Sequence, residues 1–382
     1  EFRTAQGKTM KNFKIKTSKT DIADVNMKKL ISGIILIVLI AAVSYAEPQI
    51  TSVNLTEAAT VLDVTRLRVH FIDVGTGLAV FIQTPNNHKQ IFIDGGKEET
   101  DKMVNYVNQF YPKDSVIDLA IVTHADSDHF YGMMKIFDKY DVKELWYSGY
   151  DSDDLTPNGF WKKNFLTNRV GAEVGCMIKI PLNNWKKAGD VVPIDGLDDI
   201  KLLLLNTDSQ PPQRDPVSNR RFDESLRRNN ASLVFKLIYK NISFLFTGDI
   251  NGRDLETSNT GKGLYECDSE ELELVSRHLY SGLQFNLKAT VLQVPHHGGN
   301  GSSSMPFLTA INPEYAMISA GFDYGHPSED TMHRLSEAGI SESKIFRTDD
   351  GETESVEDEI FDDSFVFETD GLNINRIFRV SM

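Results

Sequence analysis

The 382-residue sequence is poor in cysteine, with only Cys176 and Cys267. They are too far apart for a cysteine zinc site and too few for a disulfide framework, although one bridge between them stays open. Positive charge is the second scarcity. Lys and Arg number 40 against 55 Asp and Glu, giving a formal charge of −15. Such a chain has no global attraction for nucleic acid, so a nucleic-acid substrate must be held by a local patch or by metal ions. Long apolar runs are the third. The stretch "LISGIILIVLIAAVSYA" after Met27-Lys28-Lys29 is short for a span of about 20 residues. The remaining composition, 40% hydrophobic and 25% charged, suits one large domain or two small ones.

That apolar stretch predicts a processing signal over residues 27–46. A basic start and an apolar core lead to Ser44-Tyr45-Ala46, which has small residues where a signal peptidase reads, with cleavage after Ala46. An uncleaved membrane anchor is the alternative. No cysteine follows closely, which excludes a lipoprotein. Residues 1–26, polar and lysine-rich, are expected to be a disordered upstream segment. The expectation is an exported protein, periplasmic or extracellular, with no stable membrane span after processing.

The chain is organised around His124-Ala-Asp126-Ser-Asp128-His129. The apolar run Leu119 to Val122 predicts a buried strand, and a tight loop after it can aim two imidazoles and two carboxylates at one point. That donor set suits one or two divalent metals. Upstream, Leu67–Ile72, Leu78–Gln83 and Gln90–Ile93 predict a meander with a turn at Pro85-Asn86-Asn87, ending in Asp94-Gly95-Gly96. Asp73 and Asp94 read equally as groups that orient metal ligands or as loop caps. Helical spacing predicts helices over 98–110, 132–140, 270–279 and 329–337. The alternation of strand and helix implies a layered α/β sandwich over residues 60–382.

Downstream, "NNASLVFKLIYKNISFLFTGD" predicts a hairpin turning at Lys240-Asn241 and ending in Asp249, where a bridging carboxylate could sit. Pro295 breaks a strand and presents His296 and His297 on a loop, one as ligand and the other for proton transfer or substrate contact. Ser302, Ser303 and Ser304 offer hydroxyls and amides to a phosphate. His326, before a helix start, suits substrate contact or acid/base work. His70, His88, His278 and His333 read as structural or surface residues. Arg214, Arg220, Arg221, Arg227 and Arg228 form a local basic concentration, equally an anion site or a solvated face.

Taken in order, "VHFIDVGTGLAVFIQTP", "IFIDGG", "THADSDH", "NNASLVF", "LFTGD", "VPHHGGNGSSS", "YGHPS" and "RTDDG" resemble the metallo-β-lactamase fold, in the branch of the ComEC competence-protein hydrolase domain. The resemblance covers residues 66–352. It implies an α/β fold, a four-layer αββα sandwich with a metal site at one edge. It carries His124 and Asp126 to a first metal position, Asp128 and His129 to a second, Asp249 to the bridge, and His296 or His297 to the last histidine ligand. Asp126 stands where many members of the superfamily have histidine. Asn230 lies near another usual histidine and is a substrate-contact candidate. Both changes harden the site toward oxygen, so manganese joins zinc as a candidate, in one or two ions. The implied function is a metal-dependent phosphodiesterase or nuclease, with a phosphodiester substrate such as DNA and Asp128, His297 and His326 as catalytic candidates. Ester, lactone or β-lactam hydrolysis on the same fold is the alternative, and a metal-binding surface protein is the non-enzymatic one.

Overall fold

The computed structural model describes residues 47–97, 101–150, 160–181, 185–194, 196–214, 219, 221–252, 267–282, 285–321, 323–348 and 364–381. The expected signal segment, Arg220 and the acidic stretch after Gly351 lie outside the described residues. The strands form two mixed sheets. The first runs Ile50–Asn54, Ile374–Ser381, Ser364–Thr369, Leu67–Phe71, Val80–Gln83, Gln90–Ile93, Leu119–Val122, Glu144–Tyr147, Met177–Lys179. The second runs Val191–Ile194, Leu197–Asn206, Val234–Tyr239, Ile242–Phe246, Val291–Gln293, Tyr315–Ile318, Ile345–Arg347. A short pair, Val116–Ile117 with Asp141–Val142, stands apart.

Period-two alternation of apolar residues gives each sheet two buried faces. Leu67, Val69 and Phe71 of the first sheet meet Phe235, Leu237, Phe244 and Phe246 of the second in a core between the sheets. On the outer face of the first sheet, Phe81 and Phe92 pack under the helices Asp101–Phe110 and Ser127–Lys139. On the outer face of the second, Leu245 and Leu292 pack under Ser269–Tyr280, Met305–Ile311 and Glu329–Glu337. The layer order is therefore αββα.

The expected meander and hairpin form as read. Val80 pairs with Phe71 and Ile93, and Phe235 with Phe246. Two readings are corrected. The fold begins before residue 60, because Ile50–Asn54 lies parallel to Ile374–Ser381 at the sheet edge. The helix expected from Gly132 begins at Ser127. Backbone space explains that longer helix. A Cβ on Gly132 would come within 1.8 Å of the Gly95 carbonyl oxygen. Glycine at both positions lets the helix start lie directly on the loop after Gln90–Ile93. Cys176 and Cys267 are both free thiols, which closes the question of a bridge.

Glu270, on the helix Ser269–Tyr280, is buried, and its Oε1 has no hydrogen-bond partner among the described residues. Burial pushes its carboxyl up to about 8, with Arg277 pulling the other way. A raised carboxyl favours folding while protonated. Its contribution is complete below the ordinary value near 4.5 and is lost as pH rises through about 8. Thermal melts of the wild type and Glu270→Gln should therefore diverge between pH 5 and pH 9, with the wild type falling further. Each pKa unit corresponds to about 1.4 kcal/mol, so a fraction of the shift is measurable. Parallel pH profiles would remove Glu270 as the cause.

Candidate metal centre

Strand ends supply the site. Asp94 follows Gln90–Ile93 and His124 follows Leu119–Val122, neighbours that run parallel. Asp249 follows Ile242–Phe246 and His297 follows Val291–Gln293, a parallel pair in the other sheet. The groups meet outside the carboxyl ends of parallel strands, where open α/β sheets bind ligands. The two sheets are tied here by a hydrogen bond from Leu233 N to Thr123 O at 2.8 Å.

The motif is divided between a strand end and a helix. Asp126 holds the N-cap position, and Asp128 and His129 occupy the first turn of Ser127–Lys139, not a loop as expected. Asp128, His129, Asp249 and His297 each offer one ligand atom within 4.8 Å of the others. His129 Nε2 lies 3.3 Å from Asp249 Oδ2 and 3.2 Å from His297 Nε2. His297 Nε2 lies 3.2 Å from Asp249 Oδ2 and 3.4 Å from Asp128 Oδ2. His124 Nε2 is 3.9 Å from both Asp126 Oδ2 and Asp249 Oδ2.

Each central imidazole is held through its far nitrogen. His129 Nδ1 meets Asp94 Oδ2 at 2.8 Å, and Asp94 also accepts from Thr123 N at 2.8 Å and Thr123 Oγ1 at 2.6 Å. His297 Nδ1 donates to Ser319 O at 2.5 Å. A partner at Nδ1 fixes the tautomer that turns Nε2 toward a metal. Asp94 is therefore an orienting group, whereas Asp73 accepts from Gly75 N at 2.9 Å, as a loop cap does. Gln293, unflagged in the sequence, holds the Asp249 loop: its Oε1 accepts from Thr247 N at 2.8 Å and Gly248 N at 3.0 Å.

The adjacent histidines part company. Both have left-handed backbone, φ 52° at His296 and 53° at His297, which non-glycine residues adopt only where the surroundings impose it. The result sends His297 into the cluster and His296 to the wall of a cavity. His296 Nδ1 meets Asn251 Oδ1 at 3.0 Å, and its Nε2 faces the Asn229 amide at 3.4 Å. His326 lines the same cavity, its ring 5.9 Å from that of His296. Burial and the neighbouring imidazoles lower His326 to about 4, and burial lowers His296 as well, so both rings are neutral at pH 7.

Charge alternates inside the cluster. Burial alone would suppress the imidazoliums, but Asp249 and Asp94 push His129 well above its ordinary value. Asp249 and the hydrogen bond with Asp128 likewise raise His297 to about 10. Burial alone would raise the two carboxyls, yet His297 and His129 hold Asp128 and Asp249 well below the usual carboxylate range. Asp126 differs: burial lifts it to about 6, against the pull of Arg228, whose Nε donates to its Oδ1.

Residues expected at the site but placed elsewhere are informative. Ser302, Ser303 and Ser304 are fully buried. Glu271 accepts from the amides of Ser303 at 2.6 Å and Ser304 at 2.8 Å, and Ser302 Oγ donates to Pro295 O at 2.7 Å. A carboxylate from a distant helix thus takes the amides that had been read as a phosphate nest. Asn230 is buried too, its Oδ1 accepting from Asn251 N at 3.1 Å. Asn229 and Arg228 of the helix Glu224–Asn230 line the cavity in its place. Of the other arginines, Arg227 pairs with Glu224 at 3.2 Å and Arg214 donates to Asn219 O at 3.0 Å.

The donor set fits a divalent cation. His124 Nε2 and Asp249 Oδ1 are buried beside the cluster without a hydrogen-bond partner among the described residues. A bound cation gives such lone pairs a partner. Asp128, His129, Asp249 and His297 would hold an ion, with His124 adjoining.

No family model matches the chain. It is 26% identical over 304 residues to ComE operon protein 3 of Bacillus subtilis, covering 75% of this chain and 32% of that protein. It is 36% identical over 123 residues to competence protein ComA of Neisseria gonorrhoeae, covering 32% of this chain and 14% of that protein. The chain thus spans a third or less of the length of these relatives. A solved structure of the metallo-β-lactamase fold protein YhfI from Bacillus subtilis aligns with a TM-score of 0.40 at 8% identity, covering 79% of this chain and 99% of that one. Among the described residues no helix is long and apolar enough to cross a membrane. With an αββα layer order and a His/Asp cluster at the strand ends, the chain resembles the metallo-β-lactamase fold, and in sequence it is similar to the competence proteins named above.

Proposed function

We propose that the protein is a metal-dependent phosphodiesterase, a nuclease in the ComEC-like manner. The observation that carries this reading is the Asp128, His129, Asp249 and His297 cluster opening on a cavity of about 670 Å³ walled by Arg228, Asn229, His296 and His326. A divalent ion held there would supply Lewis acidity and an acidified water at neutral pH. The protein's own groups complete the requirement for phosphoryl transfer. Arg228, fixed by Asp126, sets a guanidinium in the wall, and that planar fork matches a phosphate. His326 is neutral, so it can donate one N–H to a phosphoryl or leaving oxygen without adding a fixed charge, while His296, held by Asn251, lines the wall beside it. Asp128 stays ionised across the working pH range and can hold a proton acceptor position next to His297 Nε2. An N-terminal signal over residues 27–46 would deliver the enzyme outside the cytoplasm.

The test is metal analysis of purified protein, followed by turnover of a bis-aryl phosphate, plasmid DNA, nitrocefin and a lactone with manganese or zinc. The expected result is cleavage of the phosphodiesters and little or no turnover of the other two. Turnover of nitrocefin or the lactone alone would move the assignment to carbonyl chemistry.

A further inference from the structure

We infer that Tyr324 is a base-stacking residue that selects nucleotide-bearing single strands at the mouth of the metal cavity; this rests on the phosphodiester reading. Tyr324 lines the cavity that holds Asp128, His297 and His326, yet its residue is 73% exposed. Its backbone is left-handed, with φ 71° and ψ 0°. A bulky non-glycine residue adopts that region only at a cost in backbone strain. Burial of the ring does not offset that cost, because most of it remains in solvent. Exposure and strain together therefore mark a ring that the fold holds outward at the site's entrance.

Its neighbours define what it takes. Lys97 Nζ stands 5.7 Å from the centre of the ring, and the His326 ring lies 6.3 Å away at 30°. Across the cavity Tyr131 and Phe160 also line the wall, with ring centres 4.8 Å apart. A planar π face beside an ammonium and a neutral imidazole, at the rim of a phosphodiester site, matches one nucleotide. The base lies on the tyrosine and its phosphate points inward to Arg228. Base–aromatic stacking contributes about 1–3 kcal/mol per base. A base can lie on this ring only after leaving its own stack, so the preference is for single strands. The acidic surface gives no competing hold on a duplex backbone, which leaves local stacking to select the substrate.

The experiment uses the full chain with manganese and two oligonucleotides, one natural and one abasic at the nucleotide next to the scissile phosphate. Wild type should show a KM for the natural strand about 5- to 100-fold below that for the abasic strand. In Tyr324→Ala that KM ratio should collapse toward one, and in Tyr324→Phe it should persist. Quenching of 2-aminopurine at the same nucleotide should follow the same order. A Tyr324→Ala protein that keeps the wild-type ratio and quenching overturns this inference alone. A wild type that cleaves both strands with equal KM also overturns it. A wild type that cleaves neither strand, nor the bis-aryl phosphate, overturns the phosphodiester reading and this inference with it.

Discussion

Asp249→Asn is expected to lose metal and activity together, with kcat/KM falling by more than about 100-fold, the upper range for groups that only support a metal ligand. Asp249 Oδ2 is the atom common to the site: it lies within 3.3 Å of both His129 Nε2 and His297 Nε2. An amide at that position keeps the shape and removes the charge. It leaves two imidazoles and Asp128 to compete for a cation without the carboxylate that unites them. Metal content after dialysis, read beside kcat/KM on a bis-aryl phosphate, checks the point. A variant that retains stoichiometric metal and turnover would falsify the assignment of the cluster as the active centre.

Asp94→Asn should weaken metal affinity by about 10- to 100-fold while leaving the metal-loaded enzyme catalytically competent. Asp94 is fully buried, and its carboxylate meets the far side of His129 together with Thr123 N and Oγ1. Its carboxylate raises the basicity of the ring and fixes Nε2 toward the cluster. Removing the charge should therefore act through affinity, and saturating metal should restore most of the rate. Titration of the apoprotein with manganese or zinc separates the cases. Equal affinity in variant and wild type, or a rate that metal does not rescue, would assign Asp94 a purely structural role.

What the sequence made legible follows the range of the interactions. Leu119–Val122 and the Val234–Tyr239/Ile242–Phe246 hairpin were readable because strand pattern and turn residues are local. The metal motif was readable because four ligand types fall within six residues. The start of its helix was missed because the ligand residues before Gly132 read as a loop, when glycine at 132 lets the helix start lie on Gly95. The serines failed for a long-range reason: Glu271 comes from another helix to take their amides. Asn229 and Arg228 were underweighted because Arg228 meets Asp126 only across the fold. A local signal existed in Asp223, which caps Glu224–Asn230 by accepting from Leu226 N at 2.8 Å. Which of His296 and His297 enters the cluster depends on two consecutive left-handed residues, which no periodicity reveals.

The site straddles the seam between the sheets, with Asp128 and His129 belonging to one and Asp249 and His297 to the other. Any ion bound there acts as a rivet between two halves that are otherwise joined by side-chain packing and by hydrogen bonds such as that from Leu233 N to Thr123 O. The free energy of metal capture is then also free energy of docking the halves. Chemistry is possible only in molecules whose halves have come together, so the centre inspects the completed fold before it can act. The ion would then be the final closure of assembly as well as the reagent.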